Sequence, residues 1–232
     1  MGEFTTIINR IGEVRNSLVN AIKDQEGSAT TSMSFAELAR QVYNIPAGIQ
    51  YVRNGYQLFK GNEQMTELPD NLNFHAFNSM YQMCYGCTAL KRIGQLETGN
   101  VTNMLWAFWG CSSLEYIDGL DTRSITSASE LFHGCSSLHS IYSPLDFSNV
   151  TSQIDTTFTS CKALVNLSFT GTIKADVMVH GCPNLTKASL LSLINALSPA
   201  AIGKTCRLGS TNLAKLTAAE KAIITDKGWL VE

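Results

Sequence analysis

Cys84-Tyr-Gly-Cys87 places two thiols at the spacing of half a structural zinc site, in which paired thiolates supply two of the four tetrahedral ligands. Closing such a site takes two further ligands at compatible spacing. No second close cysteine pair exists, and the nearest histidine in sequence is His75. Cys87 also belongs to a repeating column of cysteines, so core thiols are the preferred reading. No metal and no cofactor are expected. Acid–base chemistry has one local candidate. Glu115 and Asp118 lie close together on one expected strand, and two carboxylates that flank a glycosidic bond can hydrolyse it. The four histidines, His75, His133, His139 and His180, stand in unrelated contexts. No nucleophile elbow, His-Glu-x-x-His helix or phosphate-cradling glycine loop is present. No catalytic residue is assigned on these grounds, and the chain reads as a non-enzyme, with glycan hydrolysis by Glu115 and Asp118 as a remote alternative.

The elements that position these residues come from a repeat. Cys87, Cys111, Cys135, Cys161 and Cys182 are 24, 24, 26 and 21 residues apart. One residue before them stand Gly86, Gly110, Gly134, Ser160 and Gly181; three before stand Cys84, Phe108, Phe132, Phe158 and Val179. Three after come Leu90, Leu114, Leu138, Leu164 and Leu185, then Ile93, Ile117, Ile141, Leu167 and Ala188, where the pattern decays. A period of 20–29 residues is that of leucine-rich repeats. Each unit, a short strand plus a helical turn, cannot bury its apolar side alone, and stacking joins the columns into one core. Stacked cysteines would also sit at a separation a disulfide allows, but buried cysteine behaves as a small hydrophobe, so reduced thiols are expected.

Composition agrees with a packed, nearly neutral protein. The chain has 232 residues, 44% hydrophobic and 16% charged, with a net charge of −2. Nothing there recruits nucleic acid or an anionic membrane. No apolar run approaches the roughly 20 residues of a membrane span, so no membrane insertion is expected. The N-terminus, with Glu3, Arg10, Glu13, Arg15 and Lys23 spread through it, lacks the layout of a secretory signal.

Phe108-Trp-Gly-Cys-Ser-Ser-Leu114, Phe132-His-Gly-Cys-Ser-Ser-Leu138 and Asn100-Val-Thr-Asn-Met104 resemble the BspA-type leucine-rich repeat. Such repeats occur in bacterial surface proteins and in proteins of bacteriophages that infect gut bacteria. The resemblance runs from about residue 65 to 232 and takes in Leu208-Gly-Ser-Thr-Asn-Leu-Ala-Lys-Leu-Thr217 with Lys227-Gly228-Trp229, similar to the cap that closes such arrays. It implies an α/β leucine-rich-repeat solenoid used as a display surface.

The sequence divides into four segments. Residues 1–47 form a helical attachment or oligomerisation module. Phe4, Ile7, Ile11, Val14, Leu18 and Ala21 keep 3-4 spacing, which permits either a coiled coil, trimeric for example, or an amphipathic helix packed on its own domain. Ser34-Phe-Ala-Glu37 is a capping-box spacing that opens a second helix. With Asn20-Ala-Ile-Lys23 and Met33 to Leu38, this arrangement resembles a short module near the ends of phage tail and baseplate-associated proteins. Residues 48–64 read as a hairpin linker turning at Asn54-Gly55. Residues 65–185 are the solenoid, and 186–232 a helical C-terminal cap with a second capping box at Thr217-Ala-Ala-Glu220.

Between the inward Leu and Ile positions the residues vary freely. Lys91, Arg92, Glu115, Tyr116, Asp118, His139, Tyr142 and Asn166 are the candidate binding face, with Trp109 as a possible interface aromatic. The expected function is a structural protein of a phage virion (fibre, tail or head decoration), assembled in the bacterial cytoplasm. Ile7, Ile11, Val14 and Leu18 would attach or oligomerise it, and the repeat face would meet other virion proteins or a host-surface glycan or protein. The alternative is a bacterial surface adhesin built on the same repeat.

Overall fold

A computed structural model of the chain describes residues 55–68, 72–74, 77–151 and 154–232. The chain divides into two units, Met1–Tyr51 and Val52–Glu232, and every described residue belongs to the second. The helices expected within residues 4–45, with Ile7, Ile11, Val14 and Leu18, lie outside the described residues.

The strands are short, parallel and spaced by the cysteine period. β1 (Glu67–Leu68), β3 (Arg92–Glu97), β4 (Tyr116–Leu120) and β5 (Ser140–Ile141) lie side by side in that order, and β2 (Leu72–Asn73) pairs with the later half of β3. Leu68, Ile93, Ile117 and Ile141 face one another in register. Parallel neighbours require the chain to travel back between strands. The return is a turn-rich segment that itself bonds circuit to circuit: Gly86 N–H donates to Trp109 O at 2.7 Å, Gly110 to His133 O at 2.7 Å, and Gly134 to Thr159 O at 2.9 Å. Pairing along both sides holds successive circuits one strand spacing apart, about 4.8 Å.

That spacing dictates the core. Identical positions in successive circuits must touch, so their side chains must stack well on their own kind. Phe108, Phe132 and Phe158 do so, with ring centroids 5.9 Å apart at each step. Leu90, Leu114, Leu138 and Leu164 are fully buried, as are Met80 and Met104. Each repeat cysteine is buried and reduced. Its thiol donates to a carbonyl of the preceding circuit: Cys87 to Phe59 O at 3.0 Å, Cys111 to Cys84 O at 3.1 Å, Cys135 to Phe108 O at 3.2 Å, and Cys161 to Phe132 O at 3.1 Å. A small apolar side chain with one weak donor suits a site that is dry yet faces a carbonyl.

The return turn needs the left-handed backbone twice. Gly61, Gly86, Gly110 and Gly134 take φ of 70–76°, a role Ser160 fills at 64°. Four residues earlier, Gln57, Gln82, Trp106 and Glu130 take φ of 52–57°, which costs a non-glycine residue about 1–2 kcal/mol. Inter-circuit bonds such as Gln57 N to Tyr81 O, at 2.9 Å, and Gln82 N to Leu105 O, at 3.1 Å, hold the strained backbone in place.

The first circuit begins earlier than the cysteine pattern indicates. Residues 55–61 run in turns that bond to Ser79, Tyr81, Met83 and Tyr85, where the Asn54-Gly55 signal predicts the second arm of a hairpin; residues 49–54 lie outside the described residues. Phe59, Gly61, Met65 and Leu68 occupy the repeat columns, and Asn62 stands where later circuits have cysteine. Asn62 closes its turn internally, its Oδ1 accepting from the amides of Gln64 and Met65 at 3.0 Å.

At the other end a helix replaces a strand. α1 (Lys187–Ala196) is capped by Thr186. Ser189 and Ser192, three apart and so on one helix face, accept from the amides of Leu167 at 3.0 Å and Phe169 at 2.9 Å. Donors that would otherwise lie open at the sheet edge are thereby satisfied. Ser189 is accordingly buried where an apolar helix face places Leu191, and Leu191 is only half-buried. β6 (Leu145–Asp146) pairs with β7 (Phe169–Thr170). β8 (Val177–Met178), β9 (Thr205–Arg207) and β10 (Leu230–Val231) make a last parallel sheet. α2 (Ser210–Leu213) and α3 (Ala218–Asp226) complete the end, α3 with both bonds of the Thr217–Glu220 capping box. Trp229 is buried, and its Nε1 donates to Ser198 O at 2.8 Å.

Candidate functional site

The strand side collects the predicted face residues into one patch across four circuits. Lys91, Glu115, His139 and Val165 form a column just ahead of the strands, linked by amides: Glu115 N to Lys91 O at 2.8 Å, His139 N to Glu115 O at 2.8 Å, and Val165 N to His139 O at 2.9 Å. Beside it runs the column Arg92, Tyr116, Ser140, Asn166. Alternation along β4 puts Tyr116 and Asp118 outward and Ile117 inward.

Side chains then couple across circuits. The Arg92 guanidinium and Asp118 carboxylate form an ion pair. Tyr116 stacks on Tyr142 at 6.1 Å and 7°, and its ring also meets His139 at 5.9 Å. Tyr142, directly after β5, is 60% exposed, a large aromatic left open to water. Ser140, which the repeat places among the varied residues of the exposed strand face, is instead buried and anchors the patch. Its buried hydroxyl accepts from Asn166 Nδ2 at 2.9 Å and bonds His139 Nδ1 at 2.9 Å. Gln95 was also missed. Its side chain crosses Gly119, where a Cβ would stand 2.0 Å from its Oε1; only a glycine leaves that path open.

Glu115 and Asp118 do not share a strand. β4 begins at Tyr116, with Glu115 exposed just ahead of it and Asp118 paired with Arg92.

The turn side carries a ladder of rings. Tyr85 stacks on Trp109 at 4.4 Å and 5°, Trp109 on His133 at 5.6 Å and 15°, and Lys60 Nζ sits 5.1 Å from the Tyr85 centroid. Trp109 is therefore half-buried inside a stack, with its Nε1 donating to Glu130 Oε2 at 3.2 Å. Trp106 is half-buried and meets Tyr81.

Burial pushes the thiols of Cys84, Cys111, Cys135 and Cys161 well up, and those of Cys182 and Cys206 up to about 12. The hydrogen bond with the Cys84 thiol holds Cys87 down. Cys84 stands in the phenylalanine column, buried beside Cys87. Among the described residues no group of three or more His, Cys, Asp or Glu has the arrangement to hold a metal ion; His75 lies outside them. No described helix is long and apolar enough to cross a membrane.

A family model described as "Mycoplasma protein of unknown function, DUF285" matches residues 50–171. No curated protein and no solved structure matches the chain.

Proposed function

Given that the chain belongs to the DUF285 family of proteins of unknown function, we propose that it is a non-enzymatic display protein whose strand side binds a partner. We read its circuits as a BspA-type leucine-rich-repeat solenoid, supported by the parallel register of Leu68, Ile93, Ile117 and Ile141 and by the stacked Phe and Cys columns. The observation that carries the binding reading is the Tyr116–Tyr142 stack, half open to water and framed by Arg92, Asp118, His139 and Asn166. Tyrosine gives large contact area at low entropic cost and is enriched at interface hot spots. Tyr116 stands on β4, and Tyr142 directly follows β5 with its amide bonded to Ile117 O at 2.9 Å, which lowers the ordering cost that a loop would incur on binding.

The setting we propose is a bacteriophage virion, as a fibre, tail or head decoration, on the sequence resemblance of residues 20–45 to phage tail modules. The partner is then a host-surface glycan or protein, with a homo-oligomer formed through Ile7, Ile11, Val14 and Leu18. A second reading, a bacterial surface adhesin, is favoured by the family description, which is of Mycoplasma proteins. Peptide mass spectrometry of purified virions and of cell-surface fractions separates the two. Recovery in particles supports the virion, and recovery only at the cell surface replaces it with the adhesin. Turnover of a glycan that is lost in Glu115→Gln and Asp118→Asn would overturn the non-enzymatic reading.

A further inference from the structure

We propose that Cys84 and Cys87 are a redox-active dithiol, which a hydroperoxide closes into a reversible disulfide within one return turn. Three residues before the cysteine column the neighbouring circuits place a ring, Phe59 on one side and Phe108, Phe132 and Phe158 on the other. The second circuit has Cys84 there, so its return turn carries two thiols at the Cys-x-x-Cys spacing of disulfide exchange. The backbone brings them together. Cys87 N–H donates to Cys84 O at 3.1 Å, and Gly86 between them takes a φ of 71°. A four-residue turn closed in this way holds its end Cα atoms within about 7 Å, and a disulfide spans about 4.4–6.8 Å. The side chains converge as well, because the two thiols are hydrogen-bonded to each other.

The two sulfurs have different parts. The thiolate is the nucleophile, and Cys87 is the sulfur equipped to form it. Hydrogen bonds from the Cys84 thiol and from the Asn62 and Gly61 backbone hold its ionisation down against burial, while burial pushes Cys84 and Cys111 up. Both thiols are buried, so the oxidant must be small, and the cover over Cys87 is thin. Phe59, whose carbonyl accepts from the Cys87 thiol at 3.0 Å, is followed directly by the exposed Lys60 and Gly61. The Cys87 thiolate attacks one peroxide oxygen and the O–O bond breaks, leaving a sulfenic acid and a hydroxide that takes up the proton Cys87 released. The Cys84 sulfur then attacks the Cys87 sulfur. The S–S bond forms, the S–O bond breaks, and water leaves with the Cys84 proton. Two thiols are oxidised by two electrons, and one hydrogen peroxide is reduced to two waters.

The test treats the folded full-length chain with hydrogen peroxide, then blocks the remaining thiols with iodoacetamide in urea and digests with trypsin. Cleavage after Lys60 and Lys91 releases residues 61–91 as one peptide, whose cysteines are Cys84 and Cys87 alone. Mass spectrometry should find that peptide two hydrogens lighter and without alkylation. Its conversion should run at least about tenfold faster than the loss of alkylation at Cys111 or Cys135, tenfold being the thiolate ratio for one unit of thiol pKa. Dithiothreitol should restore both alkylation sites. Cys111→Ser, which removes the next sulfur of the column and keeps a hydroxyl donor, should leave the rate of pair closure unchanged. Conversion no faster than at Cys111, a cross-link between Cys87 and Cys111, or closure of the pair only in urea would overturn the proposal.

Discussion

Replacing Phe132 by alanine removes the middle ring of the Phe108–Phe132–Phe158 stack. Phe132 is fully buried and lies 5.9 Å from a ring on either side. Its neighbours are held at strand spacing by hydrogen bonds on both sides of the circuit, so they cannot close on the space left behind. The loss should therefore reach the upper part of the range for Phe→Ala, about 3–5 kcal/mol, against a total stability of about 5–15 kcal/mol. For a unit of this size each kcal/mol moves Tm by about 2–4 °C, so a loss of about 4–5 kcal/mol should lower Tm by roughly 8–20 °C. Phe132→Leu keeps most of the volume and should cost about a third as much. Tyr142→Ala, on the open face, should stay within about 0.5 kcal/mol. Thermal and urea unfolding followed by circular dichroism measure all three, and amide exchange at Gly110 and Gly134 reports whether damage stays local, as nearest-neighbour coupling allows. A Phe132→Ala protein within about 2 °C of wild type, or no weaker than Tyr142→Ala, would refute the stacked core.

Other expectations concern the ends and the thiols. Asn212 is fully buried, and its amide donates to Val179 O, Cys182 O and Leu208 O at 3.1–3.2 Å; Asn212→Ala leaves those carbonyls without that donor and should cost about 2–4 kcal/mol in urea unfolding. Ser189→Ala strands the Leu167 amide and should cost about 1–3 kcal/mol, with faster exchange at that amide as the specific sign. Cys182 and Cys206 ionise at about 12 in the folded chain but near 8.5 when unfolded. The folded state thus holds more protons between those values. Stability is full below about pH 8.5 and falls as pH rises toward 12, by up to about 1.4 kcal/mol per pH unit for each thiol. A urea midpoint that stays flat from pH 8 to 11, on the order of two and a half units above the unfolded thiol pKa, contradicts this.

Much of the stacking was legible because the interior is written in identities. Cys87, Cys111 and Cys135 could be aligned by eye, and the register that pairs Arg92 with Tyr116 and Tyr116 with Ser140 has their 24-residue step. The first circuit escaped because Asn62 replaces the cysteine while Phe59, Gly61 and Met65 keep the frame. Asn54-Gly55 is a strong hairpin signal locally, yet inter-circuit bonds from Gly55 and Gln57 decide the outcome. Position in the repeat identified Arg92, Tyr116 and Tyr142 as outward residues. It could not reveal the Arg92–Asp118 pair or the Ser140 anchor, which join residues 26 apart in sequence through their side chains. Ser189 is buried on α1 for a similar reason: helical periodicity registers apolarity, and the edge amides of Leu167 and Phe169 need hydroxyls.

The binding claim is tested most directly by flow cytometry of the labelled full-length chain on a panel of intact bacteria, wild type against Tyr116→Ala/Tyr142→Ala. Saturable binding to at least one strain is expected, weakened about tenfold or more in the double variant, as the loss of a hot-spot pair implies. Binding of equal strength by a folded double variant, or no binding to any strain in the panel, would contradict it.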